Sequence, residues 1–265
     1  MRLKKWILGA LTTFSCVLAM SAHTAAHAAD LLDEIMQRGT IRVAVPTDYP
    51  PFGFVGPDMK PQGLDVDMAG LIAQKLGVKL ELVPVTAPNR VPYLQTGKTD
   101  LTISSLGKTA ERAQVIDFSI AYAPFFDAIF GKKGNPAKTY DDLAGKTIAV
   151  TRGSMQDQEL QKLAPKAVVN RYEDNNSTIA AFMSGQAELF ASGTPVAAAL
   201  TQRNPSLDMG LKVVLANSPC YIGVRKDQPK LLAKVNDIIR EAKRDGKLDD
   251  LSKRWMGAPA GDLPE

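Results

Sequence analysis

Short apolar strands alternate with amphipathic helices along almost the whole chain, and that alternation limits the folds open to it. Ile41-Arg42-Val43-Ala44-Val45 has the composition of a buried strand. A helix is predicted before it over 31–38, with Asp30 as its N-cap and Gly39 as its terminator. Met68, Leu71, Ile72 and Leu76 share one face of a second helix, which Asp65 is expected to cap and Gly77 to end. Tyr49-Pro50-Pro51-Phe52-Gly53-Phe54 reads as an irregular loop, because two prolines exclude a regular element. Strands at 79–85 and 100–104 flank a short helix at 91–96. Downstream, strands are predicted at 126–130, 146–150, 168–172, 188–191, 211–215 and 222–225. Helices fall at 140–143, 155–163, 178–184 and 196–202, with two more at 230–244 and 247–255. This order predicts an α/β fold of parallel sheets with helices on both faces. Ligands in such folds sit at the carboxyl ends of strands, which singles out the 45–54, 104–112 and 151–156 segments.

The N-terminus sets the compartment. Arg2, Lys4 and Lys5 precede a mostly apolar run from Trp6 to Met20, and Ala26-His27-Ala28 is a small-x-small site. Together they read as a secretory signal peptide over 1–28, cleaved near Ala28, which places the mature protein in the periplasm. The apolar run is shorter than a membrane-spanning helix needs, and Cys16 lies in mid-run rather than after a lipobox. The leader carries both histidines, His23 and His27, and one of the two cysteines. Without them the chain has no Ser-His-Asp triad, no Cys-His pair and no histidine metal site. Cys220, left alone, reads as a buried small hydrophobe. The leader also removes three of the 32 basic residues and no acid, so the remainder nearly balances 28 acids. That balance offers no concentrated basic face for nucleic acid. No cofactor or metal is implied; Asp65 and Asp67 lack a third ligand nearby and suit a helix start better.

Five landmarks follow one another: Tyr49-Pro-Pro-Phe52, Gly63-Leu-Asp65-Val-Asp67, Leu94-Gln-Thr-Gly-Lys-Thr-Asp100, Thr109-Ala-Glu-Arg112 and Ile116-Asp-Phe118-Ser119. In this order and spacing the chain resembles the periplasmic amino-acid-binding proteins of ABC importers, the polar amino acid group of solute-binding protein family 3. The resemblance implies a two-lobed periplasmic-binding-protein fold, each lobe a mostly parallel sheet flanked by helices, joined by two crossover strands. One lobe is expected over 29–125 plus 217–265 and the other over 126–216. A small ligand is expected in the cleft between them, and a membrane permease as the partner of a monomeric protein.

Arg112 is the leading candidate for the site, because a guanidinium fork matches a carboxylate bidentately. Thr109 caps its short helix and sets it beside the strand end at Ser104 and Ser105. The resemblance gives an arginine here the ligand's α-carboxylate. Gly107 lets a ligand approach the backbone, although relatives often carry a hydroxyl residue there. Thr151, Gly153 and Ser154 end a strand and open a helix whose free N–H groups suit an anion, with Met155 and Gln156 following. Tyr49 and Phe52 supply aromatic walls. Relatives place an ammonium-binding aspartate after the next strand, but the segment here is Gly185-Gln-Ala-Glu188-Leu-Phe-Ala-Ser192-Gly193-Thr194, and that position falls on Gly193. A buried ammonium without a partner is costly, so either another acid substitutes or the ligand lacks a normal α-ammonium. Asp48, Asp157 and Asp174 are candidates for the acid; Asn175 and Asn176 suit a neutral group.

Two rival functions share the scaffold. A cyclohexadienyl dehydratase-like enzyme needs a positioned general acid or base, which without histidine must be a carboxylate or lysine. A ligand-sensing module is expected to be fused to a membrane helix or signalling domain.

Overall fold

A computed structural model describes residues 30–265; the leader expected over 1–28 lies outside the described residues. Helix α1 (Leu31–Arg38) forms as its sequence dictates. The Asp30 carboxylate accepts from Leu32 N, Gly39 ends the helix at φ 67°, and Leu31 and Ile35, four residues apart, enter the core. Strand β1 (Thr40–Val45) follows. The 49–54 segment, expected to be irregular, belongs instead to a small antiparallel sheet of β2 (Asp48–Tyr49), β3 (Gly53–Val55) and β4 (Pro61–Gln62). Pro50 and Pro51 occupy the turn between β2 and β3, where no ladder N–H is required of them. Helix α2 (Leu64–Leu76) starts at Gly63, not at Asp65. Asp65 lies inside the first turn, and its carboxylate reaches out of the helix to accept from Ser105 N at 2.8 Å and Tyr122 Oη at 2.6 Å.

The chain continues through β5 (Lys79–Pro84), α3 (Arg90–Gln95), β6 (Leu101–Leu106), α4 (Ala110–Val115) and β7 (Ile116–Ala123). Pro124-Phe125 then carries it into a second sheet. That sheet is formed by β8 (Phe126–Lys132), β9 (Thr147–Thr151), β10 (Val168–Tyr172), β11 (Leu189–Gly193) and β12 (Met209–Asn217). Its helices are α5 (Met155–Leu163), α6 (Asn175–Met183) and α7 (Thr194–Arg203). Ser218-Pro219 returns the chain to the first sheet as β13 (Cys220–Arg225), and α8 (Pro229–Arg244) and α9 (Lys247–Met256) follow. The sheet orders are β5-β1-β6-β13-β7 and β10-β9-β11-β8-β12. Two of the four pairings in each are antiparallel, so the sheets are mixed where strand-helix alternation predicts parallel ones. The cause is direct: β8 and β13 arrive straight from the opposite sheet with no crossover helix, and so enter against the local direction.

One face of the first sheet packs Met68 and Ile72 of α2 and Val235, Ile238 and Ile239 of α8 into one core with Ile41, Val43, Ile103 and Ile222, while a separate, smaller cluster holds Leu94 of α3, Leu106 and Ile116. In the second sheet the strand period of two splits the core. Ile148 and Val150 join Leu160, while Ala149 joins Phe182 and Phe190 on the other face. Cys220 is fully buried, and burial holds its thiol well above the ordinary range, which makes it a packing residue.

Asp100 ties the start of β6 to β1. Its buried carboxylate accepts from Arg42 N at 2.7 Å and Arg42 Nη2 at 2.8 Å, and from Arg38. Asp100→Ala is expected to lower stability in urea unfolding by about 3 kcal/mol, at the low end for a buried pair because both arginine heads keep access to water.

Candidate functional site

The two sheets face one another across a narrow cleft at the crossovers. One wall comes from the ends of β2 and β6 and the start of α3, and the other from the end of β9, the starts of α5 and α6, and β11. The crossover segments form its floor, where Ser218 N donates to Phe125 O at 2.9 Å. Of the candidates read from sequence, Tyr49, Ser105, Gly107, Thr151, Ser154, Met155 and Gln156 line this cleft together.

Each of these is held by local chemistry. The Tyr49 hydroxyl crosses the cleft, accepting from Gly193 N at 3.2 Å and lying 3.3 Å from Ser192 Oγ; burial pushes its pKa up to about 12. Ser105 adopts φ 41°, a left-handed conformation unusual for a side-chain-bearing residue, and the Asp65 carboxylate on its N–H fixes it there. Thr151 donates from Oγ1 to Asn175 Oδ1 at 2.8 Å. Ser154 is the N-cap of α5, accepting from Asp157 N at 3.2 Å. Gly107 lies against Ser218: a Cβ there would sit 2.4 Å from Ser218 Oγ, so a larger residue requires that hydroxyl to rotate away.

The remaining candidates lie elsewhere. Phe52 is fully buried behind Tyr49, with its ring centroid 6.1 Å from that of Tyr49 and 5.4 Å from that of Phe125. Ser104 is fully buried beneath the cleft. Asp48 bonds to Asn175 N at 2.7 Å and Nδ2 at 3.0 Å, clamping the lobes along the outer rim. Asn176 is exposed and faces an outer groove with Asp48, while its neighbour Asn175 faces the cleft. Gly193 leaves no room for a side chain, because its Cβ would lie 2.1 Å from Cζ of the Phe125 ring.

Arg112 is buried, but it bridges the lobes instead of lining the cleft. Nη1 donates to Gly107 O at 2.8 Å and Nη2 to Gly153 O at 2.9 Å. Burial, and then the like charge of Arg90, lower its pKa to about 10. Two of its five N–H donors are engaged by these carbonyls.

Sequence reasoning missed two charged residues that do line the cleft. Arg90 opens α3 and is 7% exposed; its Nε has no hydrogen-bond partner among the described residues. Asp127, the second residue of β8, is fully buried, and neither of its carboxylate oxygens has a partner among the described residues. Burial pushes its pKa up to about 7, a rise that Ser218, Arg112 and Arg90 only partly offset. Arg90 stands at the end of β5, a fourth strand terminus that follows the same rule as the three singled out from sequence. Asp127 was signalled only as a lone acid in the apolar run Phe126-Asp-Ala-Ile-Phe130. No group of three or more His, Cys, Asp or Glu among the described residues is placed to hold a metal ion.

Two mixed α/β sheets joined by two strand crossovers, with a polar cleft at the junction, define a two-lobed periplasmic-binding-protein fold. The chain belongs to the bacterial extracellular solute-binding proteins, family 3, whose model matches residues 41–258. It is 30% identical to the L-cystine-binding protein TcyJ of Escherichia coli (strain K12) over 86% of each chain. A variant of the arginine-binding protein ArgBP from T. maritima superposes with a TM-score of 0.80 at 35% identity, covering 85% of this chain and 99% of that one. An ancestral amino acid-binding protein, described as a precursor of cyclohexadienyl dehydratase, gives 0.78 at 36%, covering 86% and 100%. No helix among the described residues is long and apolar enough to cross a membrane.

Proposed function

We propose that this protein is the extracytoplasmic binding component of an ABC importer. In this reading it captures an amino acid or a close carboxylate relative between its lobes and delivers it, as a monomer, to a membrane permease. The observation that carries the reading is the pair of buried cations, Arg90 and Arg112, set where the walls from two different sheets meet. Buried like charges are unfavourable until an anion arrives, and a carboxylate is the anion that guanidinium forks recognise best. The lobes, 29–125 plus 217–265 and 126–216, swing about the paired crossovers at 124–125 and 218–219 to admit and enclose the ligand.

A thermal-shift screen of L-amino acids, opines and simple carboxylates tests this. A ligand at about 1,000 times its Kd adds about 4 kcal/mol to folding stability, so a matching amino acid should raise Tm by several degrees. If no member of the screen moves Tm, the reading fails. The enzyme reading has one observation in its favour, a carboxyl that titrates near neutrality in the cleft, as a general acid must. Recovery of the bound ligand unchanged after prolonged incubation, followed by mass spectrometry, supports binding; a dehydrated product supports the enzyme.

A further inference from the structure

Each acid near the cleft that sequence suggested as a cation partner is already committed. Asp48 is held by Asn175. Asp157 accepts from Arg171 Nε at 2.8 Å and Gly153 N at 3.1 Å. Asp174 caps α6 through Ser177 N at 2.7 Å. Among the described residues, the one cleft-lining acid with neither an ion pair nor a hydrogen bond is Asp127, although Ser218 lies close enough to favour its anion, and its position explains how it reaches the cleft. In the antiparallel pairing of β8 with β11, Asp127 stands directly opposite Gly193. Directly opposed residues project from the same face of a sheet. Gly193 contributes no side chain, and the Phe125 ring fills the place a Cβ would take. At this level of the sheet, the acid facing the cleft therefore comes from β8.

An isolated buried carboxylate is costly unless it is neutralised or met by a cation. Arg90 and Arg112 lie near enough for their charge to be felt at Asp127, yet neither forms an ion pair with it. Arg112 is bound to the carbonyls of Gly107 and Gly153, and Arg90 Nε has no partner among the described residues. A ligand carrying both charges satisfies the whole arrangement: its carboxylate lies on the arginines and its ammonium on Asp127. We infer that Asp127 is the acceptor for the ligand's ammonium group, set one strand over from Gly193, so that the protein takes a zwitterionic α-amino acid and discriminates against the same carboxylate without its amine. This inference rests on the cleft being an amino-acid site.

The test is calorimetric titration of wild type, Asp127→Asn and Asp127→Ala with matched ligand pairs: L-glutamine and 4-carbamoylbutanoate, L-arginine and 5-guanidinopentanoate, L-glutamate and glutarate. Wild type should prefer the amine-bearing member of the pair it binds by about 100-fold or more. Asp127→Asn, which keeps the side chain's shape, should lose that preference. The amino acid should weaken by about 100-fold while the des-amino partner changes by less than about threefold, which also shows that the site is folded. If Asp127→Asn keeps the wild-type preference, or if wild type binds both members equally, the assignment of Asp127 is overturned while the carboxylate site stands. If none of the six ligands binds wild type, the comparison is made with the amino acid that raises Tm in the screen and its des-amino counterpart; if no amino acid binds at all, the proposed function and the assignment fall together. The wild-type comparison requires no variant, so a folding defect in either substitution leaves the assignment open to refutation.

Discussion

Arg112→Ala is expected to weaken ligand binding by about 10²–10³-fold, corresponding to about 3–4 kcal/mol. Two losses combine. The first is the charged donor set for the carboxylate, since the two carbonyls take only two of the five N–H groups. The second is the bridge itself, because Nη1 holds Gly107 O in one lobe and Nη2 holds Gly153 O in the other. Arg112→Lys should rescue little, since a single ammonium cannot span two carbonyls and present a fork to a carboxylate. Arg90 gives the contrast. Its buried guanidinium makes no bridge between the lobes among the described residues, so Arg90→Ala should reduce affinity without changing how readily the lobes part. Calorimetry on the three variants, paired with small-angle scattering to follow lobe opening, separates the two roles. Near-wild-type affinity in Arg112→Ala would remove it from the site and leave Arg90 as the carboxylate partner.

What was legible in the sequence was what local chemistry decides. Asp30 and Gly39 bound α1 at the residues read from the chain, and Ser154 does the same for α5. Capping needs only a few neighbouring residues, so it survives without a fold. Asp65 shows where this stops. An acid at the start of a helix looks like a cap, but here the backbone of Gly63 begins the helix and Asp65 serves Ser105 and Tyr122, which lie 40 and 57 residues away in sequence. Strand β7 escaped because Asp117 and Ser119 interrupt its apolar pattern. Ser119 is nonetheless buried, accepting from Ile222 N at 2.9 Å on β13. Phe52 and Tyr49 are three residues apart and chemically alike, and only packing decides that Tyr49 faces the cleft. Asp127 was the least legible, because being unpartnered is a property of everything around a residue and not of its neighbours in sequence.

Asp127 and Asp65 should also give the protein without added ligand an acid-shifted stability profile. Burial holds Asp65 at a pKa of about 6 and Asp127 at about 7, whereas in the unfolded chain both return to about 3.8. Between pH 4 and 7, by roughly these pKa values, the native protein therefore retains protons that the unfolded chain has released. Stability then falls as pH rises, steepest near pH 5, by about where both acids are ionised in the unfolded chain but still protonated in the native one, at no more than about 2.7 kcal/mol per pH unit for the two together, and it levels off above the higher pKa. The neighbours limit the effect without reversing it. Arg90, Arg112 and Ser218 favour the Asp127 anion while Glu159 opposes it; Arg90, Tyr122 and Ser105 favour that of Asp65. The exposed acids Glu111, Asp142 and Glu241 have lowered pKa values and act only at the acid end, where protonating them removes stability. Protein stripped of ligand by unfolding and refolding should accordingly melt highest near pH 4, by about the point where these opposing windows meet, and several degrees lower at pH 8. Asp127→Asn should flatten the part of the fall between pH 6 and 7. A saturating amino acid should reverse the trend there, because its ammonium favours the carboxylate form of Asp127 and its affinity should rise as that group ionises. A melting profile flat from pH 5 to 8 would show that both carboxylates find in the folded protein a stabilisation equal to what water gives them.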